Sequence, residues 1–398
     1  MNEQSVVARI GLLAAAQGLL LTNGVMLIAV NGLAGLALAP DRRLATLPVT
    51  ALVFGAALST FPASHFMRRF GRRKGFMLGT AFGALGAAVG FTANLTHSFW
   101  LLCLGTLFAG VYNAFGQYYR LAAADLASDA WKSRAISLTL GGGICGAFLG
   151  PALGKHTRDL MAPRFTASYG ALFVVSLLAM GVVSLLRVPH ERTFTASEHG
   201  RSLVTIARQP KFMVAVLAAA VGYGVMNLLM AATPIAMDLC GFQFSDASFV
   251  LQWHVIGMFA PSFFTGTLIK RFGVLEILLA GLALLFGCIG IALQGVTLTH
   301  FFWALLLLGV GWNFLFVGGT TLLTETYEPN EKAKTQGLND FLVFAAMLVS
   351  STTSGAVVTG AGWHTLNQLA LPLLLVTALA ASVLRLRLRS KHVAGDQQ

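Results

Sequence analysis

The sequence predicts an all-α membrane protein, with twelve transmembrane helices arranged as two six-helix bundles. Three observations carry that expectation: a composition too apolar for a water-soluble chain, twelve apolar runs of spanning length, and a charged signature repeated in both halves. Of 398 residues, 56% are hydrophobic and 11% charged, with a mean hydropathy of +0.74. A soluble domain carries about 25% charged residues. Fifteen Asp and Glu cannot solvate a soluble fold of this size, so disorder and nucleic-acid binding do not explain the net charge of +12. A spanning helix takes roughly 20 residues or slightly more. Twelve of them leave short loops and no room for a separate soluble domain.

Hydropathy places the spans near 10–34, 44–67, 75–94, 98–121, 133–154, 165–187, 211–237, 244–269, 274–296, 299–323, 335–360 and 365–386. The first run exceeds the apolar stretch of a signal peptide, and Pro40 follows its small residues, so cleavage is not expected. When alternate gaps are assigned to one side, all of the 27 Lys and Arg gather there except Arg42, Arg43, Lys155, Arg158 and Arg164. The positive-inside rule then puts both termini in the cytoplasm. The net charge is mainly a topology signal. The longest polar gap divides the chain, which gives an N-terminal bundle 1–187, a cytoplasmic linker 188–210, a C-terminal bundle 211–387 and a tail 388–398.

The two halves repeat. Arg68-Arg69-Phe70-Gly71 after the second span recurs as Lys270-Arg271-Phe272-Gly273 after the eighth. Asn113, Asp125, Lys132 and Arg134 recur as Asn313, Glu325, Lys332 and Lys334. Two halves of six spans share one orientation, as in transporters whose site lies at the midplane between parallel repeats.

These residues resemble the major facilitator superfamily over essentially the whole chain. Its loop motif G-x-x-x-D-R-x-G-R-R-K corresponds here to Ser64 through Lys74, with Arg68 at the acidic position. The usual carboxylate lock is therefore absent at that position, while Gly71 still permits the tight turn. Arg72, Arg73 and Lys74 read equally as gating residues or as plain topology charge. Asp125 and Glu325 are expected to pair with Arg134 and Lys334, and Lys270 and Arg271 to act with them as inter-bundle charge; solvated helix ends are the alternative. In the fifth span, Gly146 through Gly154 resembles the superfamily's antiporter motif, but small residues four apart and Pro151 are explained by packing and bending. Gly154-Lys155 is not a phosphate loop: His156 follows, and no Gly precedes at the required spacing. No nucleotide is expected to be bound.

No carboxylate falls near the middle of a span, and Asp340, about a turn and a half into the eleventh, lies deepest. A carboxylate-based proton site, the usual device of drug antiporters, has no obvious residue. Of nine His, only His254 is mid-membrane. Met258 follows it by four residues, and Met226 and Met230 on the preceding span have the same spacing, which puts each pair on one helix face. Counted from the span midpoints at about 1.5 Å per residue, the two pairs lie within about 3 Å in depth. Thioethers and imidazole suit Cu(I) far better than hard cations. Methionine also fills cores and promiscuous pockets, so spacing alone leaves ligand and packing roles open.

Met226-Asn227-Leu228-Leu229-Met230 and His254-Val255-Ile256-Gly257-Met258 resemble the CcoA-like branch of the superfamily, as does Gly116-Gln117-Tyr118-Tyr119-Arg120 through Ala135. That resemblance implies a place in the bacterial cell inner membrane and import of copper across it, for cytochrome oxidase assembly, by alternating access. Met226, Met230, His254 and Met258 would be its ligands, and copper the transported substrate rather than a resident cofactor. Met237 and Cys240 are candidates for an auxiliary position on the way in. Cys103, Cys145 and Cys288 read as packing residues without C-x-x-C spacing. The chain is expected to act as a monomer in the lipid bilayer and not as an enzyme. The alternative is a carrier of an organic solute, riboflavin or a drug, with the methionines lining its pocket.

Overall fold

The computed structural model describes residues 3–128, 131–186 and 200–395, with side chains omitted at 3–5, 132–134, 329, 333 and 390–395. Among the described residues every regular element is a helix. The first half contains α1 (Glu3–Leu38), α2 (Leu47–Phe70), α3 (Arg72–Leu95), α4 (Phe99–Gly116), α5 (Tyr119–Leu126), α6 (Lys132–Thr157) and α7 (Thr166–Ser184). After the short α8 (Leu203–Ala207), the second half contains α9 (Pro210–Leu239), α10 (Phe244–Phe259), α11 (Ser262–Phe272), α12 (Val274–Gln294), α13 (Leu298–Thr324), α14 (Lys332–Gly360) and α15 (Gly362–Gly395). Eleven spans of these helices are long and apolar enough to cross a membrane; the bent pair α10 and α11 makes a twelfth.

That pair departs from the single span expected at 244–269. The chain turns by 43° between Phe259 and Ser262, at Pro261, which lacks an amide donor and whose ring crowds the preceding turn. The fourth span also divides, into α4 and α5, at Gln117 and Tyr118. The last helix continues to Gly395, beyond the bundle limit expected at 387. Residues 187–199, most of the expected linker, lie outside the described residues.

Close helix approach is written in glycine. On α6, a Cβ at Gly142, Gly146 or Gly150 would run into the α1 backbone near Ala14, Gly18 and Thr22 respectively. The spacing of four places all three on one face, so the Gly146 to Gly154 segment is a packing seam, and α6 stays continuous through Pro151. In the second half, a Cβ at Gly309 of α13 would overlap the His254 carbonyl and crowd the Met258 amide of α10.

Both expected loop turns form alike. Gly71 adopts φ 89° and ψ 152°, Gly273 φ 99° and ψ 153°, a region that essentially only glycine occupies.

The halves meet where α6 packs on α10, α1 on α9, and α2 with the preceding turn Arg42–Leu44 on α14. At this last contact the Thr46 hydroxyl donates to the Ser351 carbonyl at 2.6 Å and accepts from the Gly355 amide at 2.9 Å. A side chain at position 355 would collide with Thr46. This clasp lies on the side of the molecule away from the termini.

Candidate solute site

Met226, Met230, His254 and Met258 are all buried, at 5%, 5%, 0% and 7% exposure. Their surroundings are those of a packed helix seam. The His254 ring bonds through Nδ1 to the Leu305 carbonyl of α13 at 2.8 Å. Met258 presents its carbonyl to Asn313 Nδ2 at 2.7 Å, and the same Nδ2 reaches Ser262 Oγ at 2.6 Å. Thr265 Oγ1 donates to Asn313 Oδ1 at 2.7 Å. Asn313 thus bridges α10 and α11 across the bend, satisfying groups near the break that the helix ladder no longer does.

On α9, Met226 and Met230 join a continuous apolar core. Between them, Asn227 Nδ2 donates to the Met347 carbonyl and Ser350 Oγ of α14, both at 3.0 Å. Met237 is fully buried, while Cys240 is exposed at the end of α9.

An aromatic cluster escaped the sequence reading. Tyr223 of α9 meets Trp312 of α13 edge to face, with ring centroids 5.0 Å apart, and Phe316 at 5.5 Å. Trp312 and Phe316 stack at 5.1 Å and 8°, and Phe259 of α10 approaches Trp312 to 6.2 Å. The cluster is level in the bundle. Tyr223 stands 13 residues from the helix start at Pro210, Phe259 13 residues before Phe272, and Trp312 12 residues before Thr324, or about 18–20 Å from the terminal end. The available signal was this common depth of bulky aromatics on three different spans.

Two buried nitrogens in this seam, Trp312 Nε1 and His254 Nε2, have no hydrogen-bond partner among the described residues. Toward the terminal end, Arg120 of the first half and Asp340 of the second lie within electrostatic reach of each other and of Tyr223. Asn339 Nδ2 donates to Asp340 Oδ1 at 3.1 Å. Flat aromatic faces, unused polar atoms and opposite charges contributed by the two halves together suit an organic solute with a ring system.

On the terminal side, Glu325 and Lys334 are arranged differently from the sequence reading. Asp125 forms an ion pair with Arg72 across the Gly71 turn; the side chain of Arg134 lies outside the described residues. Glu325 pairs with Lys211 at 2.6 Å rather than with Lys334, because α13 ends beside the start of α9. Lys334 instead donates to the Arg201 carbonyl. The Arg201 guanidinium bonds Glu331 at 2.6 Å and, with a backbone bond from Glu328, holds its carboxyl down at about 2 despite burial. Arg73 and Lys270 are exposed, and Arg271 lies over the Phe272 ring at 5.2 Å, as Arg69 lies over Phe70 at 5.3 Å. A cavity of about 230 Å³ opens beside Arg68, Arg72 and Tyr118.

Comparison with known proteins follows this geometry. The profile described as Major Facilitator Superfamily matches residues 10–318 and 245–397. The riboflavin transporter RfnT of Brucella anthropi is 41% identical over 388 residues, covering 97% of both chains. The uncharacterized MFS-type transporter YddS of Bacillus subtilis is 29% identical over 349 residues, covering 82% of this chain and 79% of its own. Among solved structures, a bacterial homolog of the human lysosomal transporter Spinster superposes with a TM-score of 0.70 at 13% identity, covering 96% of each chain; this likeness concerns the fold.

The RfnT match overturns the expectation of copper import. Nearly the whole chain aligns with a protein named for riboflavin, and the Met and His pairs that suggested a soft-metal substrate sit in helix-packing seams. Their spacing of four is what one-sided packing of a helix also produces.

Proposed function

The chain belongs to the Major Facilitator Superfamily, and from that premise we propose that it is a secondary carrier of a flavin-class organic solute, moved by alternating access between its halves. The observation that carries this reading is the 41% identity, over 97% of the chain, to a riboflavin transporter. The level cluster of Tyr223, Phe259, Trp312 and Phe316 supports it chemically, because a fused aromatic ring is held by edge and face contacts of this kind. A polyhydroxy side arm calls for polar partners, which Arg120, Asp340 and Asn227 supply on neighbouring helices.

In this reading the basic residues orient the protein in the bacterial inner membrane with both termini in the cytoplasm. The Thr46 clasp on Ser351 and Gly355 then closes the far side. Opening it exchanges two buried hydrogen bonds for water, a barrier that solute binding at the midplane must offset. Arg120 and Asp340 belong to opposite halves, so their separation changes when the halves rock.

The test is complementation. A bacterium unable to make riboflavin and lacking its own carrier, when given this chain, should grow on micromolar riboflavin and accumulate the radiolabelled vitamin. Unchanged growth and uptake despite membrane expression would overturn the reading.

A further inference from the structure

His254 has no exposed surface, yet only one of its two ring nitrogens is used. Nδ1 faces the Leu305 carbonyl at 2.8 Å. A carbonyl can only accept, so this contact assigns the proton of the neutral imidazole to Nδ1. Nε2 is thereby left as a bare lone pair, buried and without a partner among the described residues. Such an atom costs free energy unless some state of the protein supplies a donor.

The surrounding seam gives the imidazole little freedom to turn and find one. The glycine at 309 brings the α13 backbone against the His254 carbonyl. One turn on, Asn313 clamps the Met258 carbonyl and Ser262. The Leu305 contact and complete burial hold the ring, so Nε2 is a positioned acceptor. Along α10 it stands five residues from Phe259, about 8 Å beyond the aromatic cluster, on the side away from the termini.

We propose that His254 determines specificity in the solute site, its Nε2 accepting a hydrogen bond from an N–H or O–H of the bound solute. This inference rests on the flavin reading and adds to it a required donor. Two groups of a flavin offer one: the imide N–H of the ring, and the hydroxyls of the ribityl arm. Both present the same chemistry to Nε2.

The experiment measures uptake of riboflavin, N3-methylriboflavin and lumiflavin by cells expressing the wild type, His254→Phe or His254→Gln, with protein level and thermal unfolding of the purified carrier followed in parallel. The first analogue lacks the imide donor and the second lacks the ribityl hydroxyls. His254→Phe keeps ring volume without an acceptor and should raise the riboflavin KM about ten-fold or more, with kcat and protein level little changed. His254→Gln, which restores an acceptor oxygen, should recover part of that loss.

For whichever analogue lacks the relevant donor, wild type and His254→Phe should give the same KM, and that identity names the donor. Wild-type riboflavin uptake with an unchanged KM in His254→Phe would overturn the inference alone and leave Nε2 to a water molecule. If His254→Phe does not fold, His254→Gln decides: a ratio of analogue to riboflavin KM that shifts from wild type for one analogue would support the inference, and a ratio unchanged for both would assign His254 to packing and overturn it. No riboflavin uptake by the wild type would overturn the flavin reading and this inference together.

Discussion

The two halves carry the same turn and load it differently. Gly71 and Gly273 share one backbone conformation, and each is preceded by a cation lying over its neighbouring Phe. Beyond the turn the chemistry diverges. In the first half Arg72 reaches Asp125. In the second, position 274 is Val, and the charge is Glu276, bonded by Arg385 at 2.9 Å and Arg389 at 3.4 Å from α15.

The asparagines differ in the same way. Asn113 accepts one exposed bond from Gln117, whereas Asn313 makes two buried bonds and one part-buried bond across the bend of α10 and α11. Repetition has kept the backbone requirement and released the side-chain partners. The physical reason is that a positive φ admits one residue type, while a charge or amide can be satisfied from several directions.

The largest expected difference lies at the asparagines. Asn313→Leu leaves the Met258 carbonyl without its side-chain donor and should cost about 2–3 kcal/mol, while Asn113→Leu should cost under about 1 kcal/mol. Thermal unfolding of the two purified variants in one detergent makes the comparison; equal losses would show that both halves lean on this position alike.

Next come the turns. Gly71→Ala and Gly273→Ala each force a Cβ into a glycine-only region at a cost of about 1–3 kcal/mol, and the two losses should match. A tolerant half would mean that its turn relaxes, and the shared conformation would no longer explain the repeat.

The smallest effect is acid dependence in the second half. Glu331 titrates at about 2 in the folded protein instead of 4.5, chiefly because Arg201 bonds it. A depressed carboxyl stabilises the fold above the unfolded value and loses that contribution as pH falls from 4.5 toward 2. Unfolding temperatures between pH 3 and 7 should therefore decline on the acid side. Glu331→Gln should flatten that limb. Identical acid limbs in wild type and Glu331→Gln would remove the Arg201 contact as its cause.

The candidate site was legible only in part. His254 stood out because an imidazole in the middle of a span is costly without a task or partner. Its partner, the Leu305 carbonyl, is 51 residues away and leaves no mark on local sequence. The Met pairs were visible as a period of four, which ligation and packing produce equally; the chemistry was read into a spacing that helix seams share. Tyr223, Phe259, Trp312 and Phe316 went unseen because hydropathy counts an aromatic as one more apolar residue. Their common depth appears only when three helices are laid side by side.

What the sequence determined by itself was the helical membrane class, the parallel repeat and the two glycine turns. Those follow from backbone hydrogen bonds that must be met within each span and from a φ that excludes side chains. The ion partners of Asp125 and Glu325, the clasp at Thr46 and the aromatic cluster were decided by tertiary structure. Each depends on which distant helix faces which, and side-chain bonds across a bundle have many partners of nearly equal quality until packing selects one.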